Sequence, residues 1–432
     1  MKEFELPEIA TKKQRVLFKY GLEHPYSILA AQPRLGKSAT AIWLQQARNA
    51  NCLIVCPSYL TFNWKKEIEK WSPRSIITLF KSGKEIYEVV DSDFVIISYD
   101  LAQKAEHLFG WATMVVADEI HHLKSIQTKR SDFFHRALYE NSVKYFHGLT
   151  GTPLKNRVRE FYSLIALTYY DPRLNNPKFL DIYSDEILFA ERFSYRSEFY
   201  VGVKTKKGRV FDKTIVKYEG LRNKSELKKW LKGRYIRILA DNNDLPPFSY
   251  KDILLSEKTD KKLWSVFEAF LNGEDSHLVR PDIKRDAAVK KTPFTIKYVD
   301  SLLEEVECCL VYSDHKEPVY RMAKHFNVPA ITGDMPSAKR SRLAKEFQEG
   351  KFSVLCATIG SLKEGEDLFR AKDVVFNDIC WVPGDLKQVI DRTRALGEKE
   401  PRLVHRILGS PQDKKIYKAL EEKQKTIDAA TN

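Results

Sequence analysis

Apolar residues along this chain fall into short unbroken runs. The first series is Ser27–Ala31, Cys52–Cys56, Phe94–Ser98, Met114–Asp118 and Tyr145–Thr150. Runs of this length without alternation predict strands covered on both faces, as in a parallel sheet. Helical spacing fills the gaps, as at Ala39–Ala47 and Asn63–Trp71. This βαβ rhythm predicts a doubly wound α/β domain over residues 1–170. From about Asp171 to Pro247 the rhythm breaks, and Tyr, Lys and Arg dominate. Within this insertion, Lys206-Lys207-Gly208 predicts the turn of a basic hairpin over 201–220, and Glu226–Leu239 has helical spacing. Leu245-Pro246-Pro247 reads as a linker, because proline favours extended backbone around it. Residues 258–300 predict helices. A second α/β series follows, with strands near Glu307–Tyr312, Val328–Ile331, Ser353–Ala357, Val374–Asp378 and Leu403–Ile407. The expected division is therefore 1–170, 171–247 and 248–432: two α/β lobes with a basic, aromatic-rich insertion between them.

Composition narrows the class. At 43% hydrophobic over 432 residues the chain can bury more than one core. No run of about 18 apolar residues predicts a membrane span. Met1-Lys2-Glu3-Phe4-Glu5 does not read as a secretion signal, so a cytoplasmic location is expected, in a bacterium or a phage-infected host. The six cysteines sit in or beside apolar runs without CxxC spacing, which predicts buried reduced thiols and no zinc site. The net charge of +14 is concentrated, since residues 201–240 hold 13 Lys/Arg against 3 Asp/Glu, a net +10. That density predicts a polyanionic partner; a solvated basic face is the plainer alternative.

Two motifs carry candidate chemistry. Ala31-Gln-Pro-Arg34-Leu-Gly36-Lys37-Ser38 follows an apolar run and opens a helical one. Backbone N–H groups at a helix start attract phosphate, and glycine permits close approach. In that setting Lys37 would reach the β/γ-phosphates of ATP and Ser38 would ligate Mg²⁺. The usual first glycine of such a loop is Ala31 here. The second motif, Asp118-Glu119-Ile120-His121, ends another apolar run, at the strand edge where α/β sheets bind ligands. Asp118 would hold Mg²⁺ and Glu119 would polarise the attacking water.

With these in place the chain resembles the Swi/Snf-type members of helicase superfamily 2. Leu53–Pro57 with Asn63-Trp64-Lys65-Lys66-Glu67-Ile68 resembles motif Ia, and Ile96-Ile97-Ser98-Tyr99 motif Ib. Leu149-Thr150-Gly151-Thr152-Pro153-Leu154-Lys155-Asn156 resembles motif III. In the second lobe Leu310–Ser313 resembles motif IV, and Thr358 through Gly365-Glu-Asp367-Leu368 resembles motif V. Asp378-Ile-Cys-Trp381-Val-Pro383 and Gln388-Val-Ile-Asp391-Arg392-Thr-Arg394-Ala-Leu-Gly397 resemble the segments that follow, the latter being motif VI.

The resemblance implies two RecA-like lobes and an ATP-driven DNA translocase or helicase of the fork-remodelling, annealing branch. Such an enzyme suits DNA replication, recombination or repair in a phage or bacterium. It implies nucleotide contacts at Gln14 (for adenine), Ala31, Arg34, Gly36, Gly365 and Asp367. It implies mainly sequence-independent DNA contacts at Ser58, Asn63, Trp64, Ser98, Tyr99, Ser313, Thr358 and Trp381, to which the insertion adds Lys206, Lys207 and Arg209. His121, Thr150, Gly151, Thr152 and Gln388 would couple the two. In the family, two arginines three residues apart complete the nucleotide site from the second lobe. Arg392 matches the first, but the second position is Ala395, so Arg392 acts alone or Arg394 replaces the missing partner. A monomer is expected, without membrane association, working on DNA and with replication or recombination proteins as candidate partners. An RNA helicase, a motor subunit of a larger DNA-processing complex, and a nucleotide-gated DNA-binding protein with little turnover stay open as alternatives.

Overall fold

The computed structural model of the chain describes residues 4–82, 91–141, 143–169, 186–204, 210–241, 245–256, 261, 281–362, 367–395, 397–409 and 411–432. They form two compact units, Met1–Leu239 with Lys423–Asn432, and Ala240–Glu422. This differs from the expected division at 170 and 247. The insertion contributes a strand to the first sheet, and the final residues pack into the first unit's core.

In the first unit the strands are β1 (Tyr26–Ala31), β2 (Cys52–Cys56), β3 (Ile77–Leu79), β4 (Phe94–Ser98), β5 (Met114–Asp118) and β6 (Tyr145–Thr150). β7 (Tyr195–Lys204) and β8 (Val210–Glu219) form a separate antiparallel hairpin, and β9 (Tyr235–Ile238) joins the main sheet. The seven-stranded sheet runs β3-β4-β2-β5-β6-β1-β9, with every pairing parallel. β1, β2, β4 and β5 are buried at every position, as the unbroken apolar runs require. The register sets Asp118 beside Leu149 and Ala30 beside Thr150. Ala31, Asp118 and Thr150 therefore end neighbouring strands at one carboxyl edge.

The expected helix over Glu226–Leu239 is corrected. A helix spans Lys224–Leu231 and a strand begins at Tyr235. Between them Gly233 has φ +77, a left-handed conformation that glycine adopts without strain. The expected basic hairpin is present as β7 and β8, paired from Tyr195–Glu219 to Lys204–Val210. Its turn, with Lys206, Lys207 and Arg209, lies outside the described residues.

Among the described residues the second unit has six strands: β10 (Phe248–Leu254), β11 (Cys309–Ser313), β12 (Ala330–Ile331), β13 (Val354–Thr358), β14 (Asp373–Phe376) and β15 (Arg402–Leu408). Their order is β10-β15-β14-β11-β13-β12, again wholly parallel. All six cysteines are buried and free. Among the described residues no helix is long and apolar enough to cross a membrane.

One buried group makes the first unit's stability pH-dependent. His135 Nε2 lies 3.1 Å from Ser163 Oγ, whose hydroxyl donates to the carbonyl of Leu123. Burial lowers the imidazole pKa to about 4. Below about pH 6.5 the unfolded chain takes up a proton that the folded chain refuses until about pH 4, so stability falls across that window. The expected loss at pH 5 is about 2 kcal/mol. Denaturant titrations at pH 7 and pH 5 check it, because His135→Gln should remove that part of the difference.

Candidate active site

The first-unit site begins where β1 ends. Gly36 takes φ +81 and ψ 33, and the helix Lys37–Arg48 starts directly after it. The first N–H groups of a helix lack intrahelical acceptors, so this end favours an anion. In the loop, positive φ occurs at Arg34 and Gly36 and not at Ala31. A side chain at position 31 therefore costs no backbone strain, which explains why alanine serves there. A Cβ on Gly36 would lie 1.9 Å from Gln14 Nε2. Gln14 is thus brought onto the loop, with its carbonyl taken by the Thr11 N–H in a capping box. The Lys37 ammonium donates to the carbonyls of Ala31 at 2.8 Å and Gln32 at 3.4 Å. Arg34 and Ser38 are half-buried in the same loop.

At the end of β5, Asp118 accepts the Trp64 indole N–H at 2.9 Å through Oδ2 and the Glu119 N–H at 2.9 Å through Oδ1. Burial and the adjacent Glu119 carboxylate push the Asp118 pKa up to about 6, against the pull of Lys37 and Trp64. Glu119 takes φ 48 and ψ 52, a left-handed conformation that costs a non-glycine residue about 1 kcal/mol or more. The turn aims its carboxylate at the next strand. Glu119 Oε2 lies 3.1 Å from His121 Nδ1 and accepts the Thr150 hydroxyl at 3.4 Å. Thr150 Oγ1 in turn accepts the Thr152 N–H at 3.1 Å. A Cβ on Gly151 would lie 3.2 Å from Pro33, so this segment packs directly against the phosphate loop. Glu119, His121, Thr150 and Thr152 are brought together, and the loop is their neighbour.

Glu160 completes this arrangement and was not anticipated. It receives Lys124 at 2.9 Å on one oxygen, and the Lys155 and Asn156 N–H groups at 2.9 and 3.1 Å on the other. Its signal in the sequence is an acid directly before the apolar helix Phe161–Leu167, where helix starts favour negative charge.

The expected nucleic-acid contacts of the first unit differ in exposure. Ser58 and Asn63 are exposed, but Trp64 and Tyr99 are only 2% and 3% exposed. Trp64 serves Asp118, and the Tyr99 hydroxyl donates to the Asp118 carbonyl at 2.8 Å. Ser98 is buried and caps the helix Tyr99–Ala102 by accepting the Leu101 N–H.

In the second unit Ser313 is fully buried and donates its hydroxyl to Asp378. Thr358 is buried and donates to Ser361 Oγ at 2.9 Å. Both hydroxyls are engaged within the edge of the second sheet. Trp381 is 36% exposed, Asp367 is exposed, and Gln388 is buried in the helix Pro383–Asp391. Gly365 lies outside the described residues.

The two arginines of motif VI separate clearly. Arg394 is 8% exposed, donates to the buried Asp391 at 3.0 Å, and stacks 4.3 Å above the Phe248 ring. Arg392 is half-buried and close enough to Tyr312 to act on its hydroxyl. Arg394 is therefore held inside the second unit by the Asp391 carboxylate and the Phe248 ring, and Arg392 is the more exposed of the two. Its i, i+3 spacing from Asp391 is the signal that marks the pair.

A family model for the SNF2-related domain matches residues 14–241, and one for the helicase conserved C-terminal domain matches residues 294–397. The SWI/SNF-related matrix-associated actin-dependent regulator of chromatin subfamily A-like protein 1 of Xenopus tropicalis is 26% identical over 429 residues, covering 93% of this chain and 43% of the relative. The DNA annealing helicase and endonuclease ZRANB3 of Mus musculus is 24% identical over 440 residues, covering 94% and 39%. The chain thus spans about two fifths of the length of the curated relatives it matches. The solved Sulfolobus solfataricus SWI2/SNF2 ATPase core in complex with dsDNA is 19% identical with a TM-score of 0.45, covering 100% of this chain and 96% of that one. The chain belongs to the SNF2-related domain family, its first match reaching over residues 14–241 and so over more than half of its length.

Proposed function

We propose that this protein is an ATP-driven motor that moves on DNA and remodels forked or branched duplexes. The observation that carries the reading is the carboxyl edge of the first sheet. There the Asp118–Glu119 turn and the Thr150–Asn156 segment are joined by the Thr150–Glu119 hydrogen bond, and that segment packs on Pro33 of the phosphate loop that carries Lys37. Lys37 would neutralise the β/γ-phosphates, and Ser38 with Asp118 would hold Mg²⁺, which supplies further charge neutralisation at the phosphoryl group. Glu119 would accept the proton of the attacking water. His121 and Thr150, both touching Glu119, would carry its charge state to the segment packed on Pro33. Arg392, the motif VI arginine left partly exposed, is the second unit's candidate for stabilising the developing phosphoryl charge.

Nucleic acid is supported by charge and by the relatives' names. Arg222, Lys224, Lys228, Lys229 and Lys232 are all exposed in and around the helix Lys224–Leu231. With Ser58, Asn63 and Trp381 they offer contacts that position a phosphate backbone and read little sequence. The locked Arg394 also favours a second reading, a slow ATPase that binds DNA under nucleotide control.

Steady-state ATP hydrolysis with forked DNA, plain duplex, single strand and RNA of equal length tests the proposal. The fork should stimulate most and RNA least. Lys37→Ala should abolish turnover while anisotropy still reports DNA binding, because the exposed cations lie elsewhere. Greatest stimulation by RNA would overturn the DNA reading. No hydrolysis above the Lys37→Ala control would favour the slow, nucleotide-gated one.

A further inference from the structure

The loops after β2 and β4 are the two that the family resemblance assigns to nucleic acid. Each nevertheless sends a ring into the acidic box. In the sheet order β4-β2-β5 these strands are neighbours, so both loops emerge beside Asp118. The helix Thr61–Trp71 has two faces, with Thr61, Trp64 and Ile68 buried and Phe62 and Asn63 exposed. Asn63 and Trp64 are consecutive residues of one rigid element. A displacement felt at Asn63 is therefore felt at the Trp64 indole, which donates to Asp118 Oδ2 at 2.9 Å. Similarly, the short helix Tyr99–Ala102 carries exposed Asp100, paired to Arg130 at 2.6 Å, and Tyr99, bonded to the Asp118 carbonyl at 2.8 Å.

The geometry points to Trp64 and Tyr99 as positioning residues that couple nucleic-acid binding on the outer side of these loops to the Asp118–Glu119 turn. The inference rests on the motor reading above. Trp64 and the Glu119 N–H hold the two oxygens of the Asp118 carboxylate, which fixes its rotamer. Tyr99 holds the carbonyl directly before left-handed Glu119, so a backbone rotation at that turn breaks the Tyr99 bond. Both donors therefore favour one arrangement of the turn. Binding that shifts either loop changes how well that arrangement is held. Such coupling is reciprocal: nucleotide must change DNA affinity by the factor with which DNA changes nucleotide affinity.

The test uses the full chain, a non-hydrolysable ATP analogue with Mg²⁺, and a duplex oligonucleotide. Analogue affinity is titrated with and without the duplex. In the wild type the duplex should tighten the analogue about tenfold. Trp64→Phe keeps a ring but loses the N–H, and should bring that factor to about twofold or less. Trp64→His restores a ring N–H and should recover part of it. A purely structural role would lower the unfolding temperature and leave the factor unchanged. Tyr99→Phe deletes one hydroxyl and decides the matter if the Trp64 variants do not fold. Full coupling in Trp64→Phe and Tyr99→Phe, or a wild-type factor of one with both ligands bound, overturns this inference alone. A wild type that binds no analogue overturns the motor reading.

Discussion

Glu119→Gln is expected to lower DNA-stimulated ATP hydrolysis by about 10²–10⁴-fold, the range over which a positioned general base acts. Glutamine keeps the length and shape of the side chain, so the contacts to His121 and Thr150 can persist in altered form. It cannot accept the water proton. A second consequence follows from charge. Burial raises the Asp118 pKa first, and the Glu119 carboxylate raises it further. Removing that carboxylate should let Asp118 ionise more readily, so Mg²⁺ with nucleotide should bind at least as tightly as in the wild type. Phosphate release and nucleotide titration on the same preparation check both parts. A variant within about fivefold of wild-type turnover would exclude Glu119 as the base.

The second large effect separates two arginines that lie two positions apart. Arg394→Ala should destabilise the second unit by about 3–5 kcal/mol, because it leaves the buried Asp391 carboxylate without its cation. It also removes the guanidinium from the Phe248 ring. Lysine should not rescue it, since an ammonium reproduces neither the planar fork nor the stacking. Arg392→Ala should leave the unfolding midpoint nearly unchanged and lower turnover by about 10³-fold or more. Denaturant titration beside turnover measurement distinguishes them. If Arg394→Ala were as stable as wild type and catalytically dead, Arg394 would be the acting arginine after all.

Most of the first sheet was legible because its strands are buried on both faces, and such strands leave unbroken apolar runs. β9 and β10 were not, for a related reason. Tyr235–Ile238 lies at the sheet edge with every residue half-buried, and most positions of Phe248–Leu254 are exposed, so neither run stands out from its surroundings. Spacing located the site motifs, but spacing does not tell which way a side chain points. Trp64 shows the cost. Thr61, Trp64 and Ile68 recur at helical intervals and mark one buried face, a sign that Trp64 faces inward. Ser313 and Thr358 end buried strands, and their hydroxyls satisfy neighbouring polar groups inside the sheet edge. Their partners, Asp378 and Ser361, are remote or unremarkable in sequence, so only the fold reveals the pairing.

The first unit is not continuous along the chain. Ile427 and Ala430 are buried among Leu154, Val158, Phe161, Leu227 and Leu231, and Lys228 donates to the Asn432 carbonyl at 3.0 Å. Synthesis proceeds from the amino terminus, and domains ordinarily fold as they emerge. Here the apolar face behind the Thr150–Asn156 segment stays uncovered until the whole second unit has been translated. The unit that carries the phosphate loop thus reaches this packing only after the second unit has been made, although most of it is made earlier.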